Sequence, residues 1–243
     1  MKRGPLLILT FAVVMALVLV PAVSTAHERK GHHATVDPAN FVRHVDNKFF
    51  PLEPGTTFFY AGTKEGIPST SEFRVTHDTK EILGVTTTVI HDLAFQEGVL
   101  VEDTLDWFAQ DKEGNVWYFG EAAKELDPNG TVISTEGSWE AGVDGAMAGI
   151  VMLAHPHVGN RYHQEVAPGV AQDMAKVVSL DKEKCIPLGC FDDLLLTKEW
   201  SPLKPGVVEL KYYAEDVGLI LALMVKGGHE RMELVQVTSD DGE

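Results

Sequence analysis

The chain has 243 residues, of which 44% are hydrophobic, and its formal net charge is −16. That length allows one large domain or two small ones. So acidic a surface repels nucleic acid phosphates and anionic lipid headgroups, which argues against nucleic acid as a partner, and it could attract cations.

The first 26 residues are typical of a secretory signal peptide. Lys2 and Arg3 precede an apolar run at residues 6–20, and Ser24 and Ala26 form the small-x-small pattern that precedes cleavage. The apolar run is shorter than the ~20 residues of a membrane-spanning helix, so we expect cleavage and no stable membrane anchor. We therefore predict a periplasmic or extracellular protein.

Residues 27–40 are rich in histidine and are predicted to form a flexible N-terminal arm. Cleavage after Ala26 would leave His27 at the new N-terminus. A free amine beside its own imidazole can chelate copper, and His32 and His33 could add ligands. A disordered arm with weak metal affinity is the simpler alternative. No cofactor is firmly implied, and copper or calcium is the divalent metal that the composition would allow.

Near the end of this arm, Asp37 and Pro38 predict a short helix, with Asp37 as its cap. From residue 56 to 140 a different signal recurs, in which a glycine closes a short polar turn between runs rich in β-branched and aromatic residues. Each turn fits a three-residue hairpin connection, a type I turn followed by a left-handed glycine. The spacing predicts a six-stranded antiparallel meander. The glycines that close these turns are Gly66, Gly84, Gly98, Gly114 and Gly130.

More strand-like segments follow, separated by glycine-containing turns up to the C-terminus. About a dozen strands with no dividing linker predict an all-β fold, an antiparallel meander that forms a strongly curved sheet or partly open barrel. We assign residues 41–243 to this single domain. Cys185 and Cys190 flank an Ile-Pro-Leu-Gly turn, and in an exported protein they are expected to form a disulfide.

The predicted turns also determine which residues face each other across the meander. In this register His91 faces Asp103, and Leu105 faces Glu121. Alternate residues of a strand share a face, so one face would carry an aromatic surface with polar groups set into it. The candidate ligand-binding residues on that face are His91, Asp103, Trp107, Trp117, Phe119, Glu121 and Trp139.

The other face of the meander carries Glu102 and Asp106 and is expected to meet solvent, although Phe108 and Tyr118 interrupt its polar pattern. Buried carboxylates are costly unless they are paired or hydrogen-bonded. For His91, Asp103 and Glu121 three interpretations therefore stay open. They are a hydrogen-bonded core pair, the polar anchors of a ligand cavity, and a general acid–base site.

A second histidine group consists of His155, His157 and His163 with Glu165. His155 and His157 would point the same way in an extended chain and could then hold a metal. The proline between them and the glycine that follows favour a loop instead.

One segment, CIPLGCFDDLLLTKEWSPLKPGVVELKYYAEDVGLILALM at residues 185–224, resembles uncharacterised secreted bacterial β-proteins. In those proteins a V-P-x-G-x-F turn precedes a strand and a Y-Y-A-x-x-V-G-L hairpin. Residues 49–62, FFPLEPGTTFFYAG, are similar to their first strand. The resemblance implies a curved antiparallel sheet in the style of periplasmic lipoprotein carriers, and it transfers no catalytic residue. The matching residues are Ile186, Pro187, Gly189, Phe191 and residues 212–219.

The function that the sequence favours is a secreted binding protein that holds a small or lipid-like ligand against the aromatic face. One alternative is a hydrolase or isomerase that uses Asp103 or Glu121 as acid or base, assisted by His91. Metal handling in the cell envelope and an interaction module without a pocket are further alternatives.

N-terminal sequencing of the protein exported by its own host should begin HERKG, because we expect cleavage after Ala26. A start elsewhere, for example after Ala22, would rule out copper chelation through a terminal His27. With the expected start, copper titration of wild type beside a His27→Ala variant separates tight chelation from weak binding by the arm.

Overall fold

The computed structural model describes residues 36–240. The predicted signal peptide and the candidate copper ligands His27, His32 and His33 lie outside the described residues. Within residues 36–240 no helix combines the length and the apolar character that crossing a membrane requires.

The first described element is a 3-10 helix, Pro38–Asn40. Its cap is Asp37, whose side chain accepts a hydrogen bond of 3.0 Å from the backbone N–H of Ala39. The predicted helix start is therefore confirmed. Residues 36–40, the last five of the predicted arm, therefore belong to the folded structure.

All remaining elements are strands, many of them rich in Val, Thr and aromatic residues. In chain order they are β1 (Phe41–Val42), β2 (Val45–Asn47), β3 (Phe50–Leu52), β4 (Thr56–Lys64), β5 (Ile67–Ile82), β6 (Val85–Gln96), β7 (Val99–Asp111), β8 (Val116–Leu126), β9 (Val132–Ser134), β10 (Trp139–Glu140), β11 (Met147–Met152), β12 (Arg161–His163), β13 (Glu165–Val166), β14 (Met174–Ile186), β15 (Gly189–Trp200), β16 (Val208–Ala214), β17 (Gly218–Lys226) and β18 (Glu230–Ser239).

One antiparallel sheet runs in the order β12-β14-β15-β16-β17-β18-β4-β5-β6-β7-β8-β11-β13. Its two end strands are consecutive in the chain, separated by Gln164 alone. β12 pairs with β14, as in Arg161 opposite Lys176, whereas β13 pairs with β11, as in Glu165 opposite Ala148. The segment that joins them therefore brings the two edges of the sheet together. The result is a sheet nearly closed as a barrel, which confirms the predicted all-β class and the curved sheet that the resemblance implies.

Three of the predicted hairpin turns have a different form. Their strands pair immediately around two turn residues, as in Gln96 opposite Val99. Both turn residues have positive φ, the type I′ geometry, whose twist matches that of the flanking strands. The three-residue prediction is wrong for these turns and correct for the turns closed by Gly114 and Gly130. The two-residue turns are Glu65–Gly66, Leu83–Gly84 and Glu97–Gly98.

A β-bulge between β7 and β8 changes the register of the central hairpin. Phe108 pairs with Tyr118, whereas Trp107 pairs with Gly120, so Phe119 is an extra residue in β8. Beyond the bulge every side chain of β8 changes its partner and its face.

The predicted register of this hairpin is therefore wrong. Glu121 pairs with Asp106 rather than with Leu105. Between β6 and β7 the shift is two residues, which preserves the face, and His91 pairs with Leu105. His91 Nε2 still lies 3.0 Å from Asp103 Oδ1, so the predicted contact between them is confirmed as a diagonal pair.

The hairpin of β2 and β3 forms a separate two-stranded sheet at one end of the barrel. Asn47 fixes it, because its side-chain amide donates hydrogen bonds to the carbonyl oxygens of Gly114 at 2.8 Å and Leu153 at 3.2 Å. Phe49 beside it is almost wholly buried. The ring of Phe50 meets those of the sheet edge-on, 5.4 Å from Phe108. The hairpin thus covers an end of the apolar interior.

The hairpin of β14 and β15 carries the disulfide. Cys185 and Cys190 are directly opposite each other and are bonded, which confirms the predicted pairing. Both cysteines are exposed at the tip of the hairpin. The bond therefore reinforces a turn that the strand ladder already closes.

Gly120 offers a test of the bulge. Its φ is +134°, and a Cβ there would lie 2.2 Å from the carbonyl oxygen of Trp139. We expect Gly120→Ala to lower the free energy of unfolding by about 2–3 kcal/mol in urea titrations, because β10 must move away.

Gly130→Ala is the matched control, since Gly130 also has positive φ but nothing lies within 4 Å of the added Cβ. It should cost only about 1 kcal/mol. Equal losses in the two variants would contradict the close approach of β10 to the bulge.

Candidate functional site

A cavity of about 280 Å³ lies inside the barrel. Its lining comes from strands all around the sheet, from β4 through β8 and from β15 through β18, together with the hairpin of β2 and β3. The volume is near the lower end of the range typical of small-molecule sites.

One part of the cavity is apolar. The hairpin of β2 and β3 contributes three residues to it. Aromatic rings of the sheet surround them, and among these rings Phe108 and Tyr118 are stacked with their centroids 4.6 Å apart. Such a surface suits the body of a small organic molecule. The apolar lining residues include Phe50, Pro51, Leu52, Phe58, Phe73, Phe108, Leu219 and Met232.

The other part is strongly acidic. Seven carboxyl side chains line the cavity beside a single basic residue, Lys211. A smaller cavity of about 100 Å³ shares several of these residues, so the two spaces adjoin at the acidic end. The carboxyl residues are Asp92, Glu102, Asp106, Glu121, Glu165, Asp173 and Glu199.

The carboxylate of Glu199 is paired with a lysine and accepts a hydrogen bond from a hydroxyl. Lys211 Nζ lies 2.8 Å from its Oε2, and the hydroxyl of Thr197 donates to its Oε1 at 2.7 Å. Burial alone would lower the pKa of Lys211, but the carboxylate of Glu199 raises it well above its ordinary value. Lys211 is therefore charged and already engaged.

Two further carboxyls accept single hydrogen bonds from neighbouring side chains. The hydroxyl of Tyr118 donates to Asp106, which lies across the ladder from Glu121. Thr104 donates to Glu102 at 3.2 Å. A hydrogen bond of this kind offsets part of the cost of desolvating the acceptor.

The cavity lining includes polar groups that have no partner in residues 36–240. The carboxyls of Asp92 and Glu121 make no hydrogen bond or ion pair there, and neither does the carboxamide of Gln164. Gln164 is only 6% exposed and lies where the sheet closes. Buried polar groups normally have partners, so these three mark a place for solvent or a ligand.

Burial and mutual repulsion shift the pKa values of these carboxyls upwards. Burial raises the pKa of Asp106 to about 7 despite the hydrogen bond from Tyr118. Burial and the nearby Asp173 raise the pKa of Glu165 to about 8. Burial, followed by repulsion from the carboxyl of Glu165, raises the pKa of Glu121 well above its usual range. These shifts favour the protonated form of the affected carboxyls over a wider pH range than in water.

The structure divides the seven residues that the sequence places on one face, because Glu121 lies on the opposite face from His91, Asp103 and Trp107. Only Glu121 lines the cavity. His91 and Asp103 lie on the other face of the sheet, about a third exposed, with Lys124 Nζ 3.6 Å from Asp103. Trp107 shares that face, where Lys80 Nζ covers its ring at 3.3 Å. The bulge moves Glu121 to the cavity side, whereas the two-residue shift leaves His91 and Asp103 on their predicted face, which is the outer one.

The remaining aromatic residues hold local structure together. Trp117 donates from Nε1 to Asp111 at 2.8 Å, and both Trp117 and Phe119 meet the ring of Phe41 edge-on. Trp139 packs edge-on against Tyr118, 5.4 Å away, and its Nε1 is buried without a hydrogen bond. These contacts attach β1 and β10 to the sheet.

The sequence interpretation missed the residues of β6 and β7 that do line the cavity. It placed Glu102 and Asp106 towards solvent, whereas both point inwards. The signal that could have revealed them is the pair Phe108 and Tyr118. These large aromatic residues share the face of Asp106, and a face that carries them is not a solvent face.

The second histidine group does not assemble. His155, His157 and His163 are exposed, while Glu165 lines the cavity. Among residues 36–240, no group of three or more His, Cys, Asp or Glu side chains is arranged to hold a metal ion.

No protein-family model and no curated protein matches the chain. Two solved structures are similar. One is a candidate exported protein with a YmcC-like fold from Bacteroides fragilis, and the other is a candidate lipoprotein from Parabacteroides distasonis. Each match has 12% identity and covers 79% of this chain and 99% of the other, with TM-scores of 0.46 and 0.39. At these values the likeness carries no inference about ligand or activity.

The raised pKa values predict how stability depends on pH. A carboxyl whose pKa is higher in the folded state stabilises the protein at acid pH, and that contribution is lost as pH rises through the folded value. For Asp106 and Glu165 those values are about 7 and about 8. We expect the melting temperature to fall by roughly 5 °C between pH 5 and pH 8.5.

Asp106→Asn should flatten this dependence, because the variant has no proton to lose there. Asp103→Asn, on the opposite face, should leave the slope of wild type unchanged. A melting temperature that rises across this interval in wild type would contradict the burial of the cavity carboxyls.

Proposed function

We propose that the protein is an exported binding protein that holds a small, partly apolar ligand in the cavity inside its barrel. One observation carries the proposal. The cavity joins an aromatic lining to polar groups that have no partner within residues 36–240, and this combination is characteristic of ligand sites rather than of filled cores.

Export is supported by the N-terminal pattern of basic residues, apolar run and small residues. The disulfide between Cys185 and Cys190 is a second support, since such bonds persist in oxidising compartments.

The energetics of the acidic end also favour binding. An uncompensated polar group away from solvent costs about 1–3 kcal/mol, and more when it is charged. Asp92, Glu121 and Gln164 could each be replaced by an apolar residue if stability alone mattered. Their presence is accounted for if a bound molecule meets them.

A second candidate function is acid–base catalysis on a molecule bound in the same cavity. The specific observation is that Asp106 and Glu165 have pKa values near those of effective general acids and bases at neutral pH. These residues differ from Asp103 and Glu121, which the sequence suggested for this role, although Glu121 lines the same cavity. Binding is the simpler proposal because it needs only the cavity.

Native mass spectrometry of protein purified from its own host tests the proposal directly. A co-purifying small molecule should appear as an added mass that organic solvent removes. The emptied protein should then bind the neutral fluorophore N-phenyl-1-naphthylamine saturably. Conversion of a bound molecule to a product during incubation would favour the second candidate.

A filled cavity provides the matched control. Ala94 lines the cavity, whereas Ala122 pairs with Leu105 on the other face. Ala94→Phe should weaken fluorophore binding at least tenfold, and Ala122→Phe should leave it unchanged. Equal binding by both variants would contradict a site inside the barrel.

A further inference from the structure

We propose that the ligand is an organic cation, a protonated amine attached to an apolar body. This inference rests on the proposed function and specifies the charge of the molecule that the same cavity accepts.

The first support is the balance of charge around the two adjoining cavities. Their combined lining contains nine carboxyl side chains and three lysines, Lys64, Lys204 and Lys211. Each lysine already has acidic neighbours. Lys211 lies 2.8 Å from Glu199, and Lys64 lies 3.8 Å from Glu230. Most of the carboxyls are therefore left without a cation of their own.

The second support is independent of the carboxyls. Gln164 is more than nine-tenths buried, lines the cavity, and makes no side-chain hydrogen bond within the described part of the chain. A carboxamide oxygen accepts hydrogen bonds, as carboxylates do, and an ammonium group supplies up to three donors. One ammonium nitrogen could therefore satisfy Gln164 together with neighbouring carboxylates such as Glu165.

The third support distinguishes an organic cation from a metal ion. The acidic residues do not form a metal-ligating group within residues 36–240. They adjoin aromatic rings instead. The ring of Tyr118 stacks on Phe108, while its hydroxyl contacts the carboxyl of Asp106. Aromatic faces attract organic cations and pack against their apolar bodies.

The cavity is also suited to attracting such a molecule from solution. Cavities lined by one sign of charge focus the electric field and raise the local concentration of opposite ions. The formal net charge of −16 adds to this field at longer range.

Calorimetric titration with three eight-carbon compounds tests the proposal. Octylamine is cationic, 1-octanol neutral and octanoate anionic, and their apolar bodies are nearly the same. At pH 8.5, where more of the cavity carboxyls are ionised, octylamine should bind at least tenfold more tightly than 1-octanol. Octanoate should bind most weakly.

Two variants and one control locate the effect. Glu121→Gln and Glu165→Gln should each lower the preference for octylamine over 1-octanol at least fivefold, and a cooperative melting transition shows that each variant is folded. Asp103→Asn removes a carboxylate from the other face of the sheet and should change neither affinity.

The outcomes separate this inference from the proposed function. If octylamine binds no better than 1-octanol, or if octanoate binds best, the ligand is not cationic although the cavity binds ligands. If 1 mM calcium displaces octylamine from the wild type but not from Glu121→Gln, the site is one for a metal ion, and the inference is overturned. If no probe binds, the proposed function fails with it.

Discussion

The closure of the sheet by residues 161–166 is the constraint on which the interior depends. β12 and β13 are separated by one residue, yet they pair with strands at opposite edges of the sheet. This connection brings Gln164 and Glu165 to the interior, where they share a cavity with Glu121 of β8 and Lys211 of β16. An open sheet would leave these groups in water, where carboxylates cost nothing to ionise. Closure therefore creates the cavity and buries carboxyl groups whose desolvation is costly.

The cost of burying these carboxyl groups is offset to different extents around the cavity. At Glu199 the cost of burial is offset by Lys211 and by hydroxyl donors, so this part of the interior behaves as a structural ion pair. By contrast, Asp106 of β7 accepts a hydrogen bond from a single hydroxyl, and Asp92 of β6 has no partner among the described residues. A fold selected only for stability would not maintain this gradient. The uncompensated end is therefore where we place the charged group of the ligand, and the aromatic end is where its body would lie.

The sequence specified the class of the fold because turn chemistry and strand composition are local. The capped start at Asp37 and the staple between Cys185 and Cys190 could be recognised for the same reason. The candidate site could not be recognised from the sequence, because its composition depends on the register of the strands. One residue decides between a type I′ turn and a three-residue turn, and one extra residue at Phe119 moves Glu121 to the other face. Neither has a strong signature in a single sequence.

The choice of the buried face was the more consequential error, and its cause is general. The face of β6 and β7 that carries Leu93, Leu105 and Trp107 looks like a core face, yet it is covered only in part, by side chains such as Lys80. If the cavity holds a ligand as we propose, a mixed inner face is expected, because the bound molecule would provide part of the packing. A prediction of the buried face from hydrophobic patterning requires that the buried side chains pack against other side chains of the protein. It will therefore misassign the two faces of a sheet wherever a polar ligand takes the place of a core.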